Sequence, residues 1–588
     1  MPRFPRRRRP TLWDSEVPIV TRRRFLGLLA GGLAAACSVP GVTPSENPPG
    51  PTTPLSSRQI IVAVGGEPRT LVPSVAGMPG STTEHLFELI HQSLVTYDDQ
   101  AQPVPRVARA LPSLSDGTWR VFDDGTMETV WRLRDGVSWH DGRRFSAEDV
   151  IFSWRLFNDP SLPVASRRVA RLIDGMEAPN DTTVVMHWRS RYAFANQISG
   201  FDLTLLPAHI LQTSFDLRRE QLAGHPYWRN EFVGLGPYRL ERWPSGSSIE
   251  LTAFDRYFLG PPRADAVSVR FLPDDNTAMA AVLAGNVDVV LPRRAVHGVI
   301  RSVRERWTND GAGVLSIVPG FSWTFLAPQF LGPQPEELQD PRIRMALAHA
   351  IDRGAIAEAA VGDRSLASDL WVPVSDPRYR MLAEGAPHYD FSPERARDLF
   401  REAGWRRESS DDVLVRQGRR FEVELTTTTG WERLVALVAE DWRNVGVSVK
   451  ETVLSLSAVT DRQSRAGFAG VELANGVPDL ALLDGRLHSA NMPSAENQFV
   501  GANRGHYASR ELDALFERLW VSLEPAERQA IERDIARHIL NELPIIGLLF
   551  YPAMAMVRRN IRNTRVPRTV APVGRLSMTW NAHEWEKG

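Results

Sequence analysis

Residues 135–154 read DGVSWHDGRRFSAEDVIFSW, with a histidine beside an aspartate and two further acids close by. As an active site, the segment would need His140 paired with a carboxylate in a cleft. Alternatively, the polar residues of this segment stabilise its local fold. The two Asp-Gly pairs fit type I′ hairpin turns, and Ser146 followed by Asp149 approximates a capping box. Carboxylates in a first helical turn also meet the positive end of the helix dipole. The segment therefore predicts a hairpin and a capped helix rather than a catalytic centre.

Strands and helices alternate on both sides of this segment. Residues 58–64 form a β-branched run that ends at two glycines, which predicts a buried strand followed by a loop. Asp340 and Ser392 each precede a proline, the arrangement of an N-cap followed by the first helical position. This alternation predicts the α/β fold class.

The charge of the chain is unevenly distributed. The 588 residues carry a formal net charge of -1, which argues against nucleic acid as a partner. Residues 1–36 hold eight arginines and two acids, so the remaining chain has 61 basic and 68 acidic side chains, about -7 in all. The positive charge therefore belongs to a leader and not to the folded body.

The leader resembles a signal peptide, assigned to residues 1–36. Its apolar run from Phe25 to Ala36 is twelve residues long, which as a helix spans about 18 Å against about 30 Å for a bilayer core. Residues 21–26 resemble a twin-arginine export signal, and residues 34–37 resemble a lipobox. Cys37 is thus expected to be lipidated, and the Pro/Ser/Thr-rich residues up to 57 to form a flexible tether. We expect an extracytoplasmic lipoprotein held at the cell membrane.

Sequence signatures of catalysis are not found along the chain. There is no Gly-x-Ser-x-Gly, no phosphate-binding loop and no His-Glu-x-x-His. Cys37 is the single cysteine, so no intramolecular disulfide forms. The sequence predicts no catalytic residue, no metal site and no cofactor.

Blocks along almost the whole mature chain resemble the extracellular solute-binding proteins of family 5, the oligopeptide-, dipeptide- and nickel-binding receptors of ABC importers. The opening segment matches a family signature through Trp139, Asp141, Gly142, Ala147, Asp149 and Val150. Further matching blocks follow in the family's order at 67–74, 86–98, 234–243, 255–290, 340–353, 392–405, 505–516 and 542–552.

The resemblance implies a type II periplasmic-binding-protein fold, with two α/β lobes, a hinge and an extra domain inserted in the first lobe. The expected first lobe comprises 58–102, 232–312 and 543–588, with the extra domain at 103–231 and the second lobe at 313–542. The implied function is capture of a peptide-like or other small solute between the lobes and delivery to a permease, with a separate ATPase chain. We expect a monomer.

Cleft residues in such a fold lie on loops at strand ends near the hinge. By position, the expected ligand-binding residues are Gly66, Glu67, Phe321, Trp323, Thr429, Gly430, Trp431, Asp484, Arg486 and His488. Peptide-binding members usually carry an acidic motif in the loop near 484–493 that pairs with the peptide amine. This chain reads DGRLHSANMP there, without the usual Asp-Pro, so sugars and other solutes stay open.

Two other classes of function stay open. One is a surface receptor or chaperone that uses the same fold without transport. The other is a secreted hydrolase, for which His140 and Asp141 would be the catalytic pair.

Overall fold

The computed structural model describes residues 58–73, 81–162, 164, 167–294, 304, 307, 311–407, 412–567 and 577–588. The predicted signal peptide, Cys37 and the tether lie outside the described residues. All described residues belong to one compact unit that begins at Leu55. None of the helices in the described ranges is both long and apolar enough to cross a membrane.

Strands and helices alternate through this unit, as the sequence predicts. The described strands are β1 (Gln59–Val64), β2 (Val95–Tyr97), β3 (Pro103–Pro105), β4 (Trp119–Val121), β5 (Met127–Arg132), β6 (Ile173–Asn180), β7 (Thr183–Trp188), β8 (Tyr238–Arg242), β9 (Ser248–Ala253), β10 (Ala266–Phe271), β11 (Val289–Arg294), β12 (Gly313–Pro328), β13 (Arg406–Arg407), β14 (Leu414–Arg416), β15 (Arg419–Arg420), β16 (Glu422–Thr428), β17 (Ser448–Leu454), β18 (Val471–Gly476), β19 (Ile546–Arg558), β20 (Ile561–Arg562) and β21 (Glu586–Lys587). The described α-helices are α1 (Ser81–Ile90), α2 (Ala147–Asn158), α3 (Arg168–Leu172), α4 (Ala208–Leu217), α5 (Asp275–Leu283), α6 (Pro341–His349), α7 (Arg353–Val361), α8 (Arg378–Ala383), α9 (Pro393–Glu402), α10 (Glu432–Asn444), α11 (Leu456–Thr460), α12 (Arg462–Ala466), α13 (Leu480–Leu487), α14 (Arg510–Val521) and α15 (Pro525–Glu542).

The largest sheet of the described residues is mixed and has ten strands, in the order β17-β16-β18-β12-β19-β11-β1-β10-β9-β8. The first strand, β1, pairs in parallel with both β10 and β11. It is an apolar run buried from both faces, the pattern expected of a parallel strand inside an α/β fold. The predicted α/β class is confirmed.

Two large hydrophobic cores lie along this sheet. The first runs from Ile60 to Leu291 in the chain and resumes at Ala555. The second contains residues from Trp323 to Tyr551. We call the parts of the chain around them the first and second lobes. The second core thus extends nine residues past the boundary predicted at 542, because the start of β19 packs with the second lobe.

A four-stranded sheet in the order β4-β5-β7-β6 lies within the segment predicted as an extra domain. Its residues pack into the first core rather than forming a separate one, and Trp131 and Trp188 are among its fully buried side chains. We refer to residues 103–231 as the inserted segment. It belongs to the first lobe by packing.

The opening segment folds as a turn and a capped helix, with one correction. Helix α2 begins after Ser146, whose backbone N–H donates to the Asp149 carboxylate at 3.0 Å. The turns are not type I′, because that type needs positive φ at both central residues. Only the glycines Gly136 and Gly142 have positive φ in these turns, and the aspartates before them do not.

Candidate functional site

Strands β12 and β19 run from one core to the other and form the crossing between the lobes. They pair Val318 with Ala553 and then Ser322 with Tyr551, so three residues of β12 face a single residue of β19. This bulge includes Gly320, whose φ is 80°. The backbone therefore bends where the two cores meet, which is the geometry of a hinge.

Aromatic side chains surround this hinge. Phe321 stacks on His85 of α1 in the first lobe, with 6.3 Å between the ring centroids. Trp431 meets Tyr551 edge-on at 5.1 Å, and the ring of Trp323 lies 4.8 Å from that of Phe325. Phe321 thus lies at the junction of the lobes, while Trp431 packs against β19 in the second core. Phe321 is partly exposed, whereas Trp323 is fully buried.

The ends of second-lobe strands point to the same junction. Asn475 in β18 donates from its side-chain amide to the Ser322 hydroxyl at 3.3 Å. Thr429 and Gly430 follow β16 and are exposed. The Gly430 N–H donates to the Glu432 carboxylate at 2.9 Å, which stabilises the start of α10. Thr429 and Gly430 thus lie at the carboxyl end of β16, which pairs in parallel with β18.

Glu67 lies after β1 as predicted, but its carboxylate is engaged within the first lobe. It accepts from the Arg229 guanidinium at 2.8 Å, from the Trp243 indole at 2.9 Å and from the Gly246 N–H at 2.9 Å. Burial raises the pKa of this carboxyl, and the hydrogen bonds from Gly246 and Ser245 with the Arg229 charge outweigh it and lower the pKa. Neighbouring Gly66 faces open space.

Asp484 and Arg486 do not lie in a loop, and that expectation is wrong, whereas His488 begins a stretch without α-helix or strand that runs to residue 509, as expected. Residues 480–487 form α13, followed by a short 3₁₀ turn. Asp479 caps the helix by accepting from the Leu482 N–H at 2.6 Å. Leucines at 480, 483 and 487 form its buried face. His488 accepts from the Ala490 N–H at 3.1 Å and so caps the turn.

Trp520 at the end of α14 contacts the inserted segment from the second lobe. Its carbonyl accepts from the Ala193 N–H at 2.7 Å. Its ring lies 6.4 Å from that of Tyr192 and 5.8 Å from that of Phe194, and the Arg168 guanidinium lies over it at 4.6 Å. Its indole N–H donates to Asp484 at 3.2 Å.

A group of charges surrounds that contact, which we call the acid-rich cluster: Arg168 and Asp202 from the inserted segment with Asp479 and Asp484 from the second lobe. Arg168 lies 3.9 Å from Asp202 and interacts electrostatically with the other two. Burial raises the pKa of Asp479 to about 6, against the opposing effects of the Leu482 N–H and Arg168. Burial also raises the pKa of Asp484. One cation thus faces three acids across the lobes.

A second group, the arginine-rich cluster, lies within the second lobe and comprises Glu472, Arg465, Arg486 and Arg504. Arg504 donates to both oxygens of Glu472, at 2.7 and 2.9 Å, and Arg486 donates at 3.3 Å. Arg465 approaches the same carboxylate at 3.8 Å. Burial raises the pKa of Glu472, and the arginines outweigh it and lower the pKa. One ionised carboxylate thus faces three guanidinium groups.

His140 has a structural role in the first lobe. Its Nδ1 accepts from the Gly234 N–H at 3.1 Å, and its Nε2 donates to the Gly236 carbonyl at 3.0 Å. Burial lowers its pKa to about 4, so the ring is neutral at physiological pH. Asp141 pairs with His209 at 2.7 Å instead. In the ranges that the structure describes, no three acidic, histidine or cysteine side chains come together as a metal site.

Sequence reasoning missed Arg168, Asp202 and Trp520, and also Glu472 with its arginines Arg465 and Arg504. These residues come from segments far apart in the chain, so no local spacing signals them. Asp479 alone had a local signal, since an aspartate before an apolar periodic run is an N-cap pattern.

Comparison with known proteins gives consistent matches over most of the chain. Residues 109–484 match the model of bacterial extracellular solute-binding proteins, family 5 Middle. The oligopeptide-binding protein AppA of Bacillus subtilis is 24% identical over 420 residues, 70% of this chain and 72% of AppA.

Two solved structures share the fold over nearly all of this chain. NikZ from Campylobacter jejuni in complex with Ni(L-His) has a TM-score of 0.72 at 22% identity and covers 91% of this chain and 100% of its own. An oligopeptide-binding protein from Thermus thermophilus complexed with a pentapeptide has a TM-score of 0.73 at 22% identity, covering 90% and 96%. The predicted two-lobed α/β fold is confirmed by this likeness.

Proposed function

Because the chain belongs to the bacterial extracellular solute-binding proteins of family 5, we propose that it is the substrate-binding receptor of an ABC importer. It captures a peptide-like or other small solute between its lobes and delivers it to a membrane permease, which a separate ATPase chain drives. Binding needs no covalent step.

The observation that carries this proposal is the construction of the junction between the lobes. Two strands cross it, one of them with a bulge at Gly320, and the inserted segment meets the second lobe at Trp520. A bend at the bulge separates these surfaces without breaking either core. A solute that contacts both lobes favours the closed form, in proportion to its differential affinity for the two forms.

Phe321 and Trp431 are the proposed aromatic contacts for the solute. Phe321 lies within crossing strand β12 and is partly exposed, and Trp431 packs against Tyr551 of crossing strand β19. Flat rings add contact area at small entropic cost. Gly66, Thr429 and Gly430 are proposed to line the same junction through their backbones. Glu67 and His488 support local structure through the hydrogen bonds they already make.

The predicted leader completes the proposal. Residues 1–36 direct export, Cys37 carries the lipid, and residues up to 57 form the tether that lets a monomeric receptor reach its permease. Replacing Cys37 by alanine is expected to release the protein from the membrane fraction. Continued membrane association of that variant would contradict the anchor.

Native mass spectrometry of the purified mature protein tests the receptor function. The expected spectrum contains a non-covalent complex with one small molecule per chain, lost on partial unfolding. Adding the identified solute back should raise the melting temperature, because the solute binds the folded state. No bound solute, and no shift with a broad panel of peptides, sugars and metal complexes, would contradict the proposal.

A further inference from the structure

The arginine-rich cluster carries more positive charge than its surroundings balance. Three guanidinium groups meet one carboxylate, which leaves an excess of two positive charges. Arg486 and Arg504 are nearly buried, with 11% and 12% of their side chains exposed. The Nε atoms of Arg465 and Arg504 are buried and have no hydrogen-bond partner among the described residues. Burying more positive charge than one carboxylate balances is costly.

Arginine does not relieve this excess by losing protons. Burial and the neighbouring Arg504 lower the pKa of Arg486 to about 10, so its guanidinium stays charged at neutral pH. For Arg465 and Arg486, Glu472 is the acid whose charge opposes the lowering of the pKa by burial. The ion pairs on Glu472 thus leave an excess of positive charge that an added anion would balance.

The cluster lies in the second lobe beyond the hinge, since Glu472 of β18 pairs with Ala327 of β12, five residues past Ser322. The Arg486 guanidinium lies over Phe325 at 5.5 Å, and Phe325 packs against Trp323, which directly follows hinge residue Ser322. Arg465 is the most exposed of the three arginines, at 32%. A ligand group thus reaches the cluster from the side of Arg465.

We propose that the arginine-rich cluster binds an anionic group, a carboxylate or a phosphate, between Arg465, Arg504 and Arg486. Planar guanidinium groups suit both anions, since each presents paired donors to two oxygens. The anion is either an acidic group of the captured solute or a free inorganic anion. The first case rests on the proposed receptor function and makes the solute acidic. In the second case, the cluster binds a free inorganic anion within the second lobe, independently of the captured solute.

Thermal shift and calorimetry with two probes, inorganic phosphate and succinate, test the site. In a low-salt zwitterionic buffer, either probe should raise the melting temperature more than sodium chloride of equal ionic strength. Arg465→Gln should weaken probe binding by about tenfold or more, because a charged hydrogen-bond partner is lost. Arg378→Gln is the matched control, since the charge of Arg378 is already balanced by Asp376 at 2.9 Å and by nearby Glu532, and it should bind as the unaltered protein does.

The unliganded stability of Arg465→Gln separates this role from a merely structural one. Without added anion, the variant should be at least as stable as the unaltered protein, because the substitution removes repulsion. Competition separates the two sources of anion: phosphate and the solute found by mass spectrometry exclude each other if the solute supplies the charge, and bind together if it does not.

Two results would overturn the anion site: neither probe exceeding sodium chloride, or Arg465→Gln binding phosphate unchanged. A neutral or cationic solute bound between the lobes, with no anion effect, would refute the anion site and leave the receptor function intact.

Discussion

The two charged clusters of this protein have opposite compositions and opposite ways of balancing charge. The acid-rich cluster sets one guanidinium against three carboxyl groups and spans the two lobes. The arginine-rich cluster sets one carboxylate against three guanidinium groups inside the second lobe. An excess carboxylate can take up a proton, and burial raises the pKa of Asp479 to about 6, with the charge of Asp202 as a smaller contribution. Excess arginines have no such route and need an anion.

This difference assigns the clusters different tasks. The acid-rich cluster is assembled only when the inserted segment meets the second lobe, so its charge state depends on closure. The arginine-rich cluster has all its members in one lobe and exists in either form. Closure and anion capture are therefore expected to respond to different variables, pH for the first and anion concentration for the second.

The largest effect is expected from Glu472→Gln, which removes the single carboxylate of the arginine-rich cluster. Breaking a buried pair in this way costs about 3–5 kcal/mol of unfolding free energy. Urea denaturation measures the loss, and inorganic phosphate should restore part of it. Glu451→Gln is the control, because Glu451 is partly exposed beside Arg443 at 2.7 Å and such pairs contribute about 0–1 kcal/mol. Equal losses in the two variants would contradict the comparison.

Trp520→Ala should weaken closure and solute binding by roughly tenfold, because it removes an aromatic contact between the lobes. Trp520→Phe keeps the ring and loses the indole donor to Asp484, so its effect should be smaller. Isothermal titration measures affinity, and scattering measures closure. Trp154→Ala, within the inserted segment, is the control. It tests whether the loss of any tryptophan weakens solute binding to the same extent. If Trp154→Ala weakens binding as much as Trp520→Ala, the contact at Trp520 is not specific to closure.

The smallest effect is a pH dependence of closure. The pKa of Asp479 is raised to about 6 in the assembled cluster, and opening returns the carboxyl toward its usual value near 3.8. The closed form therefore binds an extra proton between these values, so closure strengthens as pH falls through 6. The closed-to-open ratio should rise roughly tenfold from pH 8 to pH 5. Asp479→Asn should flatten this profile, and an unchanged slope would exclude Asp479 as the responding group.

The sequence predicts those parts of the structure that depend on local signals. Ser392 before Pro393 and Asp340 before Pro341 each cap a helix as expected, because a cap and its helix are neighbours in the chain. The same locality explains the turn and helix at His140 and Ser146. The sequence blocks that resemble family 5 extend the prediction to the whole fold, because their order along the chain matches that of the family.

The candidate site depends on contacts that no local pattern encodes. Arg168 and Trp520 are 352 positions apart in the chain and meet only in the folded protein. Glu472 lies in a buried strand, where a charged residue departs from the apolar pattern that predicts such a strand. The three arginines that contact it come from three separate segments. The loop expected near 484–493 begins only at His488, because Asp479 is a local N-cap signal for a helix that runs to Leu487.

Small-angle X-ray scattering of the mature protein, stripped of solute and then reloaded, tests most directly whether the two lobes close around a ligand. The radius of gyration should be larger without solute and fall when the solute identified by mass spectrometry is restored, with Trp520→Ala shifted toward the larger value. Identical scattering with and without bound solute would contradict closure as the basis of this protein's function.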